Sequence, residues 1–216
     1  MRKTEGIVLK RQEVRETSLI LTIYTREMGK ILGLVKGVRG MRAAVPWYLE
    51  PLSLQSIVVY ERRRSPWALV SGFDLLEPFD GIRRDLARTA AAAYCADLVD
   101  AMTELSDPHP EIFKLLVNVL KGLEKAEPGG ILAPVLEARL LHAGGHLPEV
   151  KSLILLPEAK AALEEILRAP ADQIGLLRVS PEVEVALRRI LTGLCRRVLE
   201  RDLKSRRFLQ AIGVAG

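Results

Sequence analysis

The spacing of apolar residues changes once along this chain, and the change separates two kinds of structure. Thr17–Thr25 reads TSLILTIYT, in which Leu19, Leu21 and Ile23 alternate with a second set of side chains, as in a half-buried strand. After Pro78–Gly81, apolar residues instead recur every three or four positions, which is the spacing of a helix face. The sequence therefore predicts a β-rich beginning followed by a helical remainder.

The first 80 residues contain short apolar or alternating segments separated by turn signals. The predicted strands are Gly6–Leu9, Thr17–Thr25, Lys30–Lys36, Leu52–Tyr60 and Trp67–Phe73. Several short strands in about 75 residues favour a small barrel or sandwich, and a five-stranded barrel of the oligonucleotide-binding (OB) type is one such solution. We predict an α+β protein with an OB-fold domain at residues 1–80.

Residues 81–216 are predicted to form an all-α domain, because proline and glycine punctuate a series of helical patterns. The predicted helices are Ile82–Leu105, Glu111–Glu127, Ile131–Ala143, Pro157–Leu167 and Pro181–Phe208. The last two begin with proline, which suits the first turn of a helix.

The net charge of +5 is unevenly distributed. From Arg2 to Arg42 ten basic residues face four acidic ones, and from Arg188 to Arg207 eight basic residues face two acidic ones. Residues 81–187 hold 11 basic and 16 acidic residues. Two basic ends around an acidic middle suggest a polyanionic partner that contacts the ends.

The basic loop around Gly37 and Gly40 is the first candidate site. Spaced lysines and arginines on a glycine-containing loop suit phosphate oxygens. The nucleotide-binding patterns G-x-x-x-x-G-K-[ST] and G-x-G-x-x-G are absent from it, whereas a solvated turn fits equally well. The candidate DNA-binding residues of the first domain are Lys30, Lys36, Arg39, Arg42, Arg62, Arg63 and Arg64. Trp47 and Tyr48 are the aromatic pair best suited to contact a base.

The end of the chain carries a second basic surface. Within the predicted helix Pro181–Phe208, an apolar stripe lies opposite a face with few acidic residues. Its candidate DNA-binding residues are Arg196, Arg197, Lys204, Arg206 and Arg207. A basic amphipathic helix also suits a calmodulin-type partner or a membrane surface, so those alternatives stay open.

The sequence does not indicate an enzyme or a metalloprotein. No nucleophile with a base and an orienting group stands out, so we expect no catalytic residues and no cofactor. Cys95 and Cys195 lie in apolar helical surroundings without a CxxC pattern, which predicts core thiols rather than metal ligands. No apolar run reaches the length of a membrane span and the N-terminus lacks a signal-peptide pattern, so we expect a cytoplasmic protein that does not bind a membrane.

The order of several segments resembles the RecO family of bacterial recombinational DNA repair proteins along nearly the whole chain. The segments that carry the resemblance are Thr4–Leu9, Glu16–Thr25, Gly29-Lys30, Lys36–Gly40, Leu75–Phe79, Arg84–Leu86, Leu136–Gly145 and Leu203–Leu209. The resemblance implies an OB fold followed by a helical domain, binding of single- and double-stranded DNA, and annealing of complementary strands.

The resemblance also implies partners. These are RecR, RecF and, through them, RecA, which is loaded onto DNA covered by single-strand binding protein. The acidic, phenylalanine-terminated tail of single-strand binding protein is expected in a groove of the helical domain, and the matching positions for this partner site are Lys121, Leu136, Arg139 and Leu140. We expect no nucleotide hydrolysis.

One departure from the family concerns zinc. Many members carry a four-cysteine motif after the glycine pair, whereas residues 144–167 contain no cysteine here. The sequence therefore predicts that the zinc-binding lobe is absent. The rival interpretation of the whole chain is a non-enzymatic interaction module whose barrel binds a protein or a peptide rather than DNA.

Overall fold

The structure is a computed structural model, and it describes residues 1–14, 17–38, 49–61, 65–125 and 130–213. The chain forms two compact units. The first contains Met1–Phe79 together with Thr103–Phe113, and the second contains Asp80–Met102 together with Lys114–Gly216. The sequence predicts one boundary at residue 80, and it does not predict that Thr103–Phe113 belongs to the first unit.

The first unit is a closed five-stranded barrel. Its strands are β1 (Arg2–Val14), β2 (Ser18–Thr25), β3 (Gly29–Val35), β4 (Leu54–Tyr60) and β5 (Ala68–Glu77). They follow each other around the barrel in the order β1-β2-β3-β5-β4, with β1 and β4 closing the circle and only β3 and β5 parallel. This confirms the predicted α+β class with an N-terminal OB-type barrel.

The long strand β1 makes closure feasible because it pairs with two neighbours. Arg2–Ile7 lie against β4, and Gly6–Val14 lie against β2, with a register shift between Val8 and Lys10 in the pairing with β2. Such an irregularity bends a strand and increases its twist. The sequence predicted only Gly6–Leu9 of this strand, because the charged residues that follow hide its continuation.

The predicted alternation in β2 is confirmed. Leu19, Leu21 and Ile23 are fully buried in the barrel, whereas Ile20 and Thr22 are partly exposed on its outside. The inward side chains join a core that includes residues of all five strands. Burial of this apolar surface is the main term that stabilises the barrel.

The Thr103–Phe113 segment covers one part of the outer barrel surface. The backbone N–H of Ser106 donates to the carbonyl of Lys30 over 2.9 Å. The guanidinium of Arg26 lies 5.3 Å from the centre of the Phe113 ring, a cation–π distance. Burial and the nearby charge of Asp107 raise the pKa of Tyr24 to about 12.

The described part of the chain contains α-helices separated by two 3₁₀ turns, Val150–Ser152 and Ile174–Leu176. The helices are α1 (Asp80–Arg83), α2 (Leu86–Met102), α3 (Pro110–Lys125), α4 (Leu132–Ala143), α5 (Pro157–Arg168), α6 (Pro181–Leu199) and α7 (Lys204–Ala211). Within the second unit, α2 lies against α7 and α4, and α4 also lies against α5 and α6.

Two helices that the sequence predicts as continuous are broken. At the first break, Asp85 starts α2, because its carboxylate accepts the backbone N–H of Arg88 over 2.8 Å. At the second break, Glu200 adopts a left-handed backbone with φ of 52°, which ends α6 four residues before α7 begins. No helix in the described ranges is both long and apolar enough to cross a membrane.

Candidate nucleic-acid interface

An open groove runs over the outside of the barrel across β1, β2 and β3. Its volume is about 740 Å³. Its floor is formed by outward side chains of the sheet, namely Thr22 of β2 and Leu32 of β3, which pair directly across the ladder. Trp67 lies at its side, immediately before β5, with its ring partly exposed. An apolar floor beside an indole suits the flat face of a base.

Basic side chains flank this groove on β1. Lys10 lies opposite Thr22 in the ladder and is exposed. Arg11 also lines the groove, but its guanidinium is held by the carboxylate of Glu50. Lys36 is exposed directly after the end of β3, where the N–H of Val38 donates to the carbonyl of Thr17 and fixes the start of the loop.

Lys30 has a different position from Lys36, although both were predicted to bind DNA. Lys30 pairs with Tyr24 in the ladder between β2 and β3. The Thr103–Phe113 segment lies against Lys30, so that only 9% of this residue is exposed. A phosphate cannot approach a side chain that is buried in this way without displacing the segment. The burial of Lys30 therefore argues against its predicted contact with DNA.

The other predicted contacts of the first domain lie outside the described residues. They are Arg39, Arg42, Arg62, Arg63 and Arg64, together with the aromatic candidates Trp47 and Tyr48. Their assignment rests on the sequence alone and stays a prediction.

A second basic surface lies on α6 and α7. Arg196 and Arg197 are exposed in the last turns of α6, and Lys204 and Arg207 are exposed on α7. The break at Glu200 separates these two pairs, which the sequence had placed on one straight helix. A shallow depression lined by Gly193, Arg196 and Arg197 continues to the residues of the break.

Arg206 is held in an ion pair and is largely buried, whereas Lys204 and Arg207 are exposed. Its guanidinium makes two hydrogen bonds to the carboxylate of Asp202, of 2.5 and 2.7 Å. These bonds, with smaller contributions from the charges of Arg196 and Arg207, hold the pKa of Asp202 below its usual range. Because only 12% of the Arg206 side chain is exposed, its role is to fix the start of α7 rather than to face a ligand.

The predicted partner-site residues do not form an exposed groove. Leu136 is 0% and Leu140 4% exposed, because both face the helical core from α4. The guanidinium of Arg139 donates to the carbonyls of Ile166 and Ala169 and so caps the end of α5. Of the four positions, Lys121 alone is an exposed side chain.

A groove that does combine apolar and basic residues lies elsewhere in the second unit. Its volume is about 610 Å³, and its apolar lining comes from Leu155 and Ile190 together with Ile154, which is 97% exposed. Arg189 and Arg197 provide positive charge in the same lining. An exposed isoleucine beside two arginines suits a peptide that is both acidic and apolar.

The sequence carries part of the signal for the barrel groove. The alternation in β2 places Thr22 outside, and Trp67 is the single indole beside a predicted strand start. The sequence does not predict that Lys10 pairs with Thr22, because this pairing depends on the register shift in β1. Long-range register therefore decides which basic residues border the groove.

The described residues contain no group of three or more histidine, cysteine or acidic side chains placed to hold a metal ion. Cys95 and Cys195 are both free and buried. Burial raises the pKa of each thiol above its ordinary value, so both are protonated.

Comparison with known families gives two consecutive matches. The family model described as "Recombination protein O N terminal" matches residues 1–79, and "Recombination protein O C terminal" matches residues 83–153. The first match covers all the strands of the barrel, and the second ends just after the Val150–Ser152 turn.

Individual relatives agree with these matches. A protein of Anaeromyxobacter dehalogenans (strain 2CP-C) is 28% identical over 245 positions, covering 98% of this chain and 96% of the relative. A protein of Syntrophus aciditrophicus (strain SB) is 34% identical over 146 residues, covering 68% of this chain and 56% of the relative. A protein of Bacillus subtilis (strain 168) is 30% identical over 152 residues, covering 70% of this chain and 59% of the relative. Each of these relatives is named DNA repair protein RecO.

Proposed function

The chain belongs to the RecO family of DNA repair proteins, as its resemblance predicted, and from this premise we propose that it binds DNA and anneals complementary strands. In this role it helps to load RecA onto DNA covered by single-strand binding protein, together with RecR and RecF. The observation that carries the proposal is the open groove of the barrel, where Trp67 and an apolar floor lie beside Lys10.

The proposed DNA contacts form two sets. On the barrel they are Lys10, Thr22, Lys36 and Trp67, with Arg39, Arg42, Arg62, Arg63 and Arg64 added from the sequence. On the second unit they are Arg196, Arg197, Lys204 and Arg207. Lysines and arginines neutralise phosphates and release counterions, so affinity from these sets falls as salt rises. No step of this role needs a catalytic residue.

The first experiment compares two changes in the barrel that act through different physics. Lys36→Glu should weaken binding of a single-stranded oligonucleotide and reduce the slope of log affinity against log salt by about 0.7 for each phosphate that is no longer neutralised. Trp67→Ala should weaken binding by about 1–3 kcal/mol per stacked base while leaving the salt slope nearly unchanged. Fluorescence anisotropy at several salt concentrations measures both quantities.

A matched control for Lys36→Glu lies on the same barrel. Lys3 is an exposed lysine near the beginning of β1, 3.8 Å from Asp74, and it lies outside the proposed set. Lys3→Glu changes the net charge equally and should alter affinity much less. Equal loss in both variants would mean that net charge, rather than this surface, controls binding. No binding of the unchanged protein at low salt would leave the barrel as a protein-interaction module.

We also propose that the groove of Ile154, Ile190, Arg189 and Arg197 receives the acidic tail of single-strand binding protein. This groove replaces the partner site predicted around α4, because it joins exposed apolar and basic groups. A peptide that ends in acidic residues and phenylalanine should bind at micromolar strength, roughly −8 kcal/mol. Arg189→Glu should abolish that binding, whereas Arg168→Glu on α5, away from the groove, should not. Unchanged recruitment by a tailless single-strand binding protein would contradict this part of the proposal.

A further inference from the structure

A separate cavity lies inside the second unit, between α2, α4, α6 and α7. Its volume is about 350 Å³. Much of its lining is apolar, with Ala133 and Pro134 from α4, Val185 from α6 and Leu209 from α7. This volume lies near the lower end of the range for small-molecule sites, so it suits a single ring system with a short substituent.

Glu137 is the one acidic side chain that lines this cavity among the described residues, and it is only 1% exposed. Its Oε1 accepts hydrogen bonds from the Tyr94 hydroxyl and, over 2.9 Å, from the Thr192 hydroxyl. Its Oε2 has no hydrogen-bond partner among the described residues. A buried carboxylate oxygen without a donor costs free energy, so a ligand that supplies a donor is favoured there.

The basic residues around the cavity divide into two groups. Arg188 is bound to Glu184 over 2.6 Å, and Arg206 is bound to Asp202. Arg189 and Arg196 belong to the same lining but are exposed to solvent. The cavity thus offers an acceptor at a buried position and two cations at solvent-exposed ones.

We propose that this cavity takes one unstacked nucleotide whose base carries an exocyclic amino group, with its phosphate at Arg189 and Arg196. Cytosine is the single-ring base of this kind in DNA, and its amino group donates to Oε2 of Glu137, in the way that acidic side chains accept from the cytosine amino group. Thymine presents a carbonyl oxygen instead and leaves Oε2 without a donor. For a nucleotide within a strand, this inference rests on the proposed DNA-binding function, whereas a free nucleotide has the same chemistry without it.

The test compares oligonucleotides of cytidine and thymidine of equal length, dC15 and dT15, on the full chain at pH 8. One hydrogen bond to a charged group predicts about ten- to hundredfold tighter binding of dC15. In Glu137→Gln the amide oxygen keeps the Tyr94 and Thr192 bonds, so its NH₂ group takes the place of Oε2. That group donates to the thymine oxygen, and the preference should reverse in favour of dT15.

Two further variants test whether the dC15 preference depends on this cavity. Glu165→Gln makes the same chemical change on the exposed face of α5 and should leave the dC15 preference intact. Val185→Trp fills the cavity from an exposed position and should reduce the ratio of the two affinities to about one, whatever the stability of the Glu137 variant. Titration with dCMP and dTMP, followed by NMR, tests the free nucleotide.

The outcomes separate this inference from the proposed function. Tight binding of dC15 and dT15 with equal affinity, unchanged in Glu137→Gln, would support DNA binding and overturn the cavity as a base site. Binding of dCMP over dTMP without binding of either oligonucleotide would support a free-nucleotide site and overturn the DNA-binding function. Absence of binding in all arms would overturn both.

Discussion

Glu137 shows how a single buried side chain links the stability of the second unit to pH. Burial raises the pKa of its carboxyl group to about 7, opposed by the hydrogen bonds from Tyr94 and Thr192 and by the charges of Arg188 and Arg206. The folded protein therefore holds a proton between the ordinary carboxyl pKa of 4.5 and about 7, whereas the unfolded chain has released it. Stability must fall as pH rises through that window.

We predict that Glu137→Gln stabilises the protein increasingly between pH 5 and pH 8. An amide has no charge to bury, so the variant avoids a cost that reaches about 3 kcal/mol when the carboxyl group is ionised. Tyr94, Cys95 and Cys195 face the same carboxyl group, and their pKa values are raised, so they stay neutral over this range. Urea unfolding of both proteins at pH 5 and pH 8 measures the difference. A difference that is independent of pH would show that Glu137 does not titrate in this range.

The sequence predicted residue types better than residue environments. It identified Lys36 and Arg197 as exposed cations, and both are exposed. It grouped Lys30 and Arg206 with them, although the first is covered by the Thr103–Phe113 segment and the second is bound by Asp202. Burial of Lys30 arises from a segment more than 70 positions away, which no local pattern of charge reveals.

At the scale of elements, the β2–β3 turn depends on glycine for two reasons. Gly29 has φ of 64°, and a Cβ atom there would lie 2.2 Å from the carbonyl oxygen of Asp107. The turn is held by Thr25, whose hydroxyl donates to the carbonyl of Gly29 over 2.8 Å. Gly29 therefore allows this turn to pack closely against the backbone of Asp107.

We predict that Gly29→Ala destabilises the protein by about 2–5 kcal/mol, because backbone strain adds to a collision with the backbone of Asp107. Gly37→Ala is the matched control. Gly37 has φ of 70°, but none of the described residues lies within 4 Å of an added Cβ atom, so only the strain of about 1–2 kcal/mol is expected. Thermal unfolding followed by circular dichroism compares the two. Similar losses in both variants would contradict the tight contact between the turn and Asp107.

Periodicity predicted the existence of most elements but not where they break. The strands β2 and β3 agree with their predicted bounds within about one residue. The break between α6 and α7 escaped prediction because Arg188–Phe208 keeps helical spacing through Glu200. There the bond between Asp202 and Arg206 belongs to the start of α7 rather than to one long helix. A charged residue with a left-handed backbone gives no signal comparable to glycine or proline.

At the scale of the whole molecule, the two basic surfaces lie on different compact units, and this division bears on the proposed annealing of DNA strands. Two DNA strands repel each other, so bringing them together requires that the charge of both be neutralised. If each unit holds one strand, binding needs one surface whereas annealing needs both. The units contribute Lys36 from the barrel and Arg197 and Lys204 from the helices.

We therefore predict that reversing either surface alone reduces annealing more than binding. Lys36→Glu on one unit, and Arg197→Glu with Lys204→Glu on the other, should each leave measurable affinity for a single strand, because the opposite surface still neutralises phosphates. Both variants should slow the pairing of complementary oligonucleotides well beyond the loss expected from reduced occupancy, whereas Lys3→Glu should not. Measuring pairing by fluorescence quenching at protein concentrations that saturate each variant removes the effect of affinity. If saturated variants then anneal as fast as the unchanged protein, one surface is sufficient and the two units do not hold separate strands.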